Sequence, residues 1–204
     1  MDEVLGCGGT IAREAAGGCR VETLVPFGDG TGPDAQRRAA GPQAAAHLGS
    51  AGPRYTGFPE NRSDTIPLLD IIGVVERAIV ELQASTLYVS HGGNLNIDHQ
   101  TAFRAAVTAA RPVPRSPIRA IYAYEVLSST DWAPPSVISF QPTRAVDISA
   151  TLGAKLIALA CYADDLRPVP HSRSVEGVRT LAQHRGMSVG FAAAEAFTVV
   201  RELI

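Results

Sequence analysis

The most polar segment of the chain, Ser90 to His99 (SHGGNLNIDH), carries histidine, asparagine and aspartate side chains directly after a compact apolar run. That run, Thr86 to Ser90, predicts a buried strand. Asp98 is a natural helix N-cap, which would place His99 in the first turn of the following helix. A histidine held there beside a carboxylate can bind a metal ion. An equally weighted interpretation is a capped helix with a surface histidine.

A second acidic group, Asp2 and Glu3, begins a string of small residues that extends to Thr10 (DEVLGCGGT). Acidic residues commonly lie at a helix N-terminus, so this pair alone does not indicate chemistry. A dinucleotide-binding loop would need a glycine where Ile11 stands and a strand before it. We find no other phosphate loop, which argues against a nucleotide-dependent enzyme. We expect the glycines to permit close helix packing or close approach of a ligand.

Short extended runs alternate with helical patterns along the chain. This alternation predicts an α/β sandwich around a mostly parallel sheet, with sites in the loops at the carboxyl ends of strands. The clearest helix spans Ile66 to Leu82, where apolar residues recur on one face. The pattern also predicts a strand at Val137–Phe140 and a final helix at Phe191–Ile204.

Length and composition limit the classes of function. We expect 204 residues to form one domain, residues 1–204. The net charge of −2 gives no bulk attraction for nucleic acid or an anionic membrane. No apolar run reaches the length of a membrane span, and no signal peptide pattern is present. Three cysteines without a CxxC pair predict free thiols and a cytoplasmic location.

Six segments in chain order resemble the PIG-L/LmbE-like N-acetylglucosaminyl deacetylases, and the resemblance spans nearly the whole chain. The string that begins at Asp2 matches the end of the family's His-Pro-Asp-Asp-Glu motif. The other five are GFPENRSD at 57–64, LNIDH at 95–99, YEV with SST at 124–130, HSRS at 171–174, and RG with AEAF between 185 and 197.

The resemblance implies a Rossmann-like three-layer sandwich and a zinc ion held by His, Asp and His, with a water completing the site. Zinc would polarise an acetamide carbonyl and lower the pKa of that water, while a carboxylate takes its proton. Carried over by residue, Asp2 and His99 are metal ligands. The arginine-bearing substrate loop falls on Asn61, Arg62 and Asp64.

The beginning of the sequence departs from the family pattern. The first ligand, a histidine three residues before Asp2, would precede Met1, and the aspartate that usually acts as general base falls on Met1. The first strand would also precede Met1. Three interpretations stay open: an internal methionine taken as the start, which we favour; a degenerate relative that binds or assembles without catalysis; and a strand supplied by another chain. Two ligands hold zinc poorly, so we expect weak binding and little activity.

Other residues would have to take over the missing catalytic roles. Asp98 is nearest to the site by motif, although a role in orienting a histidine competes with proton transfer. Asn96 stands where many relatives carry a histidine that protonates the leaving amine, and His91 or His171 are the substitutes for it. Trp132 is expected either to stack on a sugar ring or to anchor its loop.

The sequence therefore predicts zinc-dependent hydrolysis of the N-acetyl group of an amino sugar or its glycoconjugate. The alternative is a non-catalytic binding or assembly protein. The sugar and the oligomeric state, homo-oligomers included, stay open.

Overall fold

Six strands and six helices alternate along the chain in the computed structural model, which describes residues 1–204. The strands are β1 Leu24–Phe27, β2 Arg54–Phe58, β3 Thr86–Ser90, β4 Ala120–Tyr124, β5 Arg144–Asp147 and β6 Ala194–Glu202. The helices are α1 Asp2–Ala16, α2 Gly32–Leu48, α3 Leu68–Leu82, α4 Ile97–Ala109, α5 Leu152–Ala160 and α6 Val175–Met187. Short 3-10 turns lie at Ser63–Thr65 and Ala163–Asp165.

The strands form two separate sheets. Strands β1 and β2 pair in parallel, while the larger sheet has the order β3-β4-β6-β5, with β3 and β4 parallel and β6 antiparallel to both neighbours. The Asn61 amide, just after β2, donates to the Asp98 carboxylate, beyond β3, at 2.7 Å. The carboxyl ends of β2 and β3 therefore share one edge of the molecule.

This architecture confirms the predicted Rossmann-like α/β fold. The two sheets are not hydrogen-bonded to each other, and β1 and β3 both line one cavity.

Helices cover both faces of the strands. One core contains α1, α2, α5 and α6 packed against β4 and β6, and the second contains α3 and α4 packed against β3 and β4. The apolar stripe predicted for α3 is confirmed, because Ile72, Val75 and Ile79 are buried. No helix combines the length and the apolar character needed to cross a bilayer.

Two predicted elements near the C-terminus are wrong. The segment Phe191–Ile204 is not a helix, because Ala194–Glu202 forms β6 between β4 and β5. Its alanines favour a helix, but pairing on both edges and complete burial of Phe197 override that local preference. Val137–Phe140 forms no strand, and Arg144–Asp147 pairs with β6 instead.

Helix α1 is kinked at Cys7, whose φ of −142° and ψ of 19° are not helical. The buried Glu195 carboxylate of β6 accepts hydrogen bonds from the amides of Gly9 (2.9 Å) and Thr10 (2.7 Å). The Lys155 ammonium of α5 donates to the same carboxylate at 2.6 Å. This network, which we call the clamp, joins α1 to α5 and β6 and so fixes the position of the helix.

The glycines of α1 permit close packing of this helix, which is one of the two roles expected for them from the sequence. A Cβ on Gly6 would overlap the ring of Tyr124, and a Cβ on Gly9 would lie 2.8 Å from Ile148. The amino end of α1 is thereby seated against β4, at the carboxyl edge of the sheet.

Candidate active site

A cleft at the carboxyl edge of the strands brings together side chains from both ends of the sequence. It forms part of a cavity of about 890 Å³ that also continues between β1 and β3. The polar side chains that line the cleft are Asp2, Asn96, Asp98, His99, Ser128 and Arg173, and Trp132 stands at its edge.

The centre of the cleft is a contact between Asp2, at the start of α1, and His99, in the first turn of α4. His99 Nε2 lies 3.1 Å from Asp2 Oδ2. The His99 side chain is 16 % exposed and the Asp2 side chain 39 % exposed. His99 Nδ1 is buried without a hydrogen-bond partner. The pair predicted from distant segments of the sequence therefore meets, although its hydrogen bonding is incomplete.

The charge state of Asp2 follows from its neighbours. Burial by itself would raise the pKa of Asp2, but the charge and hydrogen bond of His99, the amino group of Met1 and Arg173 together outweigh burial and hold the pKa well below its usual value. Asp2 is therefore an anion over the physiological pH range, as a metal ligand must be.

The loop before α4 differs from the prediction in its cap. Asn96, not Asp98, is the N-cap, and its side-chain oxygen accepts from the amides of Asp98 (2.8 Å) and His99 (3.4 Å). The Asp98 carboxylate accepts instead from the amides of Asn61 (2.7 Å) and Ser63 (3.3 Å). Asp98 thus turns away from its own helix because it holds the loop after β2, and His99 still lies in the first turn.

Asp2 and His99 fit two positions of a zinc site. Ligand atoms about 2.1 Å from a tetrahedral zinc ion are about 3.4 Å apart, slightly more than the 3.1 Å between these two atoms. No third His, Cys, Asp or Glu joins them in a group that could hold a metal ion. The donor chemistry fits zinc, but these residues supply two of the three protein ligands that a hydrolase site uses.

The two other predicted histidines are placed differently. His91 is buried, its Nδ1 accepts from the Gly93 amide at 3.1 Å, and burial lowers its pKa. It does not line the cavity. His171 Nδ1 accepts from the Arg173 amide at 3.0 Å, and its ring meets Trp132 edge-on with 5.2 Å between ring centroids. His171 thus lies beside the cleft, whereas His91 supports its loop.

The predicted substrate loop lies mostly outside the cleft. Asn61, at φ 55°, contributes its backbone amide to Asp98, while the side chains of Arg62 and Asp64 are exposed and do not line the cavity. Trp132 lines it and is 54 % exposed, which leaves a ring face open to a ligand.

Sequence reasoning missed Arg173. Its Nε donates to Ser128 Oγ at 2.9 Å, and both residues line the cleft. Both belong to segments that carry the family resemblance, so the signal was present. The sequence names His171 in the same segment, and it does not show which of the two side chains faces the cleft.

No protein-family model matches the chain, and no curated protein matches it. Solved structures do. N,N'-diacetylchitobiose deacetylase from Pyrococcus horikoshii is 18 % identical, with a TM-score of 0.73, 98 % of this chain covered and 80 % of that chain. Teicoplanin deacetylase Orf2, in a form described as zinc inhibited, is 17 % identical, with a TM-score of 0.77 and coverage of 98 % and 95 %.

A third similar structure is GalB, the 4-carboxy-2-hydroxymuconate hydratase of Pseudomonas putida, at 18 % identity and a TM-score of 0.77, covering 100 % of this chain and 93 % of that one. The two deacetylases agree with the resemblance found in the sequence. At these identities the likeness establishes the fold, and a hydratase on the same fold shows that the activity must be argued from the site.

Proposed function

We propose that this chain is a metal-dependent amide hydrolase that removes the acetyl group from an N-acetylated amino sugar or its glycoconjugate. The observation that carries the proposal is the contact between Asp2 and His99, at the spacing of two zinc ligands, in a cleft at the carboxyl edge of the strands. The cleft admits a small molecule, and we propose zinc as the metal and the cytoplasm as the location.

Asp2 and His99 would hold the zinc ion. When bound, zinc polarises a carbonyl oxygen and lowers the pKa of a bound water. Because only two protein ligands are present among these residues, we expect binding to be weak.

The other residues of the cleft bind and orient the substrate in this proposal. Arg173 presents a guanidinium group that can donate to a sugar hydroxyl or an acetamide oxygen, and Trp132 offers its ring to a sugar face. Asn96 and Asp98 act as positioning residues, because each is occupied by backbone amides of the two loops. We propose His171, which touches Trp132 beside the cleft, as the residue that protonates a leaving amine.

A non-catalytic binding role is the second candidate. It is favoured by the incomplete ligand set and by Met1, whose thioether lies where the family resemblance expects the general base and cannot take a proton there.

Acetate release from N,N'-diacetylchitobiose, measured with and without added Zn²⁺, separates the two candidates. Hydrolysis predicts slow acetate release that requires Zn²⁺ and disappears in Asp2→Asn and His99→Asn. The binding role predicts no acetate release under any condition, with sugar binding that Trp132→Ala weakens.

A further inference from the structure

One arginine in the cavity has no acidic partner. Five arginine side chains line the cavity. Four of them form ion pairs with glutamate or aspartate side chains: Arg20, Arg37, Arg54 and Arg144. The fifth, Arg173, makes a single side-chain hydrogen bond, from its Nε to Ser128 Oγ at 2.9 Å, and no ion pair. Arg173 is therefore the one arginine of the cavity whose charge no carboxylate of the protein contacts.

The two terminal nitrogens of the Arg173 guanidinium are free to bind a ligand. The hydroxyl of Ser128 occupies Nε, whereas Nη1 and Nη2 donate to no group of the protein, and neither atom is sealed from solvent. A guanidinium group stays charged at every physiological pH, and its planar pair of N–H donors matches two oxygens of a carboxylate or a phosphate. The cleft thus contains an oriented, unoccupied fork for an anion.

The carboxylates around the cleft are engaged by other groups. Asp2 contacts His99, and although the charge of Arg173 contributes to the lowered pKa of Asp2, the two side chains form no ion pair. The carboxylates of Asp98 and Asp131 accept backbone amides of their surrounding loops. The protein itself therefore supplies no acceptor for the Arg173 fork, and a bound molecule is left to supply it.

The fork and the exposed ring of Trp132 belong to one wall of the cleft. Ser128 and Trp132 lie on the loop after β4, while His171 and Arg173 lie on the segment before α6. Two contacts join the loop to the segment: the Arg173–Ser128 hydrogen bond and the edge-on meeting of the Trp132 and His171 rings, 5.2 Å apart. A ligand ring stacked on Trp132 would therefore bind to the same wall that carries the Arg173 fork.

We propose that Arg173, oriented by Ser128, is an anion-binding subsite of the cleft, and that the amino-sugar ligand carries a phosphate or carboxylate group that occupies it. A hydrogen bond to a charged acceptor is roughly twice as strong as one to a neutral hydroxyl or amide oxygen, and only an anion compensates the charge of the guanidinium. The choice of an amino sugar as the carrier rests on the proposed function. The preference for an anion rests on Arg173 alone, and binding tests it without any hydrolysis.

The test is calorimetric binding of neutral N-acetylglucosamine, its 1-phosphate and 6-phosphate, and N-acetylmuramic acid, which carries a carboxylate. No metal is added, so that zinc cannot hold the anion. We expect at least one charged sugar to bind about ten-fold more tightly than the neutral sugar, and Arg173→Gln to remove this preference. Arg179→Gln is the matched control, because it removes the same charge from an exposed position of α6 and should keep the preference. The sugar that binds best distinguishes a phosphate from a carboxylate ligand.

Three results would overturn the subsite: equal binding of charged and neutral sugars by the parent chain, a preference that survives in Arg173→Gln, or an equal loss for charged and neutral sugars in that variant. Arg173→Lys keeps the charge without the planar fork and should retain only part of the preference, which tests the subsite even if Arg173→Gln does not fold. Failure of the proposed hydrolysis gives a different result, because acetate release is then absent while the preference that depends on Arg173 persists.

Discussion

Two side-chain pairs connect helix α1 to the rest of the molecule, Lys155 with Glu195 and Asp2 with His99, and they differ in how completely their hydrogen-bonding groups are satisfied. In the clamp, Lys155 and Glu195 are 4 % and 3 % exposed and 2.6 Å apart. Lys155 also donates to the Leu5 carbonyl at 2.8 Å, and both Glu195 oxygens accept backbone amides. The Asp2–His99 pair has one contact, a nitrogen without a partner and a carboxylate that is only partly buried.

The difference separates stability from function. A buried pair in which both charged groups have several hydrogen-bond partners is costly to break and leaves little capacity for a ligand. A half-exposed pair contributes little to stability but leaves lone pairs for a ligand. The clamp therefore fixes the position of α1, and Asp2 lies at the amino end of this helix, where it lines the cleft.

The largest effect is expected from Glu195→Ala. The substitution leaves the Lys155 ammonium buried and uncompensated and removes the acceptor for two backbone amides. We expect a loss of about 3–5 kcal/mol in the free energy of unfolding, measured by urea denaturation. Glu81→Ala is the control, because that exposed carboxylate pairs with Arg54 at the surface and should contribute less than about 1 kcal/mol. Similar losses in the two variants would contradict the role of the clamp.

The close packing of α1 against Tyr124 predicts the second largest effect on the free energy of unfolding. In Gly6→Ala the new Cβ meets the buried Tyr124 ring, so the helix must shift, at a cost of about 1–3 kcal/mol. Gly153→Ala in α5 meets nothing within 4 Å and should be neutral or stabilising. Urea denaturation of the two alanine variants gives the comparison, and a stable Gly6→Ala protein would mean that α1 does not pack as described.

A smaller effect is expected at His91 as the pH falls. Burial lowers its pKa in the folded protein, so the unfolded chain binds a proton that the folded chain resists, and stability falls as the pH drops below the ordinary histidine value of about 6.5. His91→Asn keeps an acceptor for Gly93 without titrating. Unfolding midpoints at about pH 7.5 and pH 5 should differ less in this variant than in the parent. If the difference is the same in both proteins, His91 is not a source of the pH dependence of stability.

The smallest effect on stability is expected from Asp2→Asn. Because the carboxylate is partly exposed and has one partner, we expect a change below about 1 kcal/mol. A loss as large as that of Glu195→Ala in the same urea experiment would remove the distinction between the two pairs.

The sequence predicted much of this arrangement because its information was local or carried by ordered motifs. The α3 stripe and the strand β3 follow from periodicity, although only Val89 and Ser90 of β3 are buried. His99 lies in the first turn of α4 as predicted, but with Asn96 and not Asp98 as the cap. The meeting of Asp2 with His99 followed from the family resemblance.

Contacts between residues far apart in the sequence override local preferences, and they explain what the sequence did not predict. Asp98 and Asn96 are equally suitable caps by residue type, but the loop after β2 recruits the Asp98 carboxylate, and Asn96 caps the helix. The alanine-rich end of the chain favoured a helix, yet β6 is fixed by two neighbouring strands. The clamp joins residues more than a hundred positions apart, and no local pattern announces the kink at Cys7 that it stabilises.

The most direct test of the central claim is a zinc titration in competition with a chromophoric chelator. The chain should bind Zn²⁺ weakly, and Asp2→Asn and His99→Asn should each lower the affinity by at least about ten-fold. His171→Asn, beside the cleft but outside the pair, should bind as the parent does. Unchanged affinity in Asp2→Asn and His99→Asn, or an equal loss in all three variants, would contradict the assignment of Asp2 and His99 as the metal-binding pair.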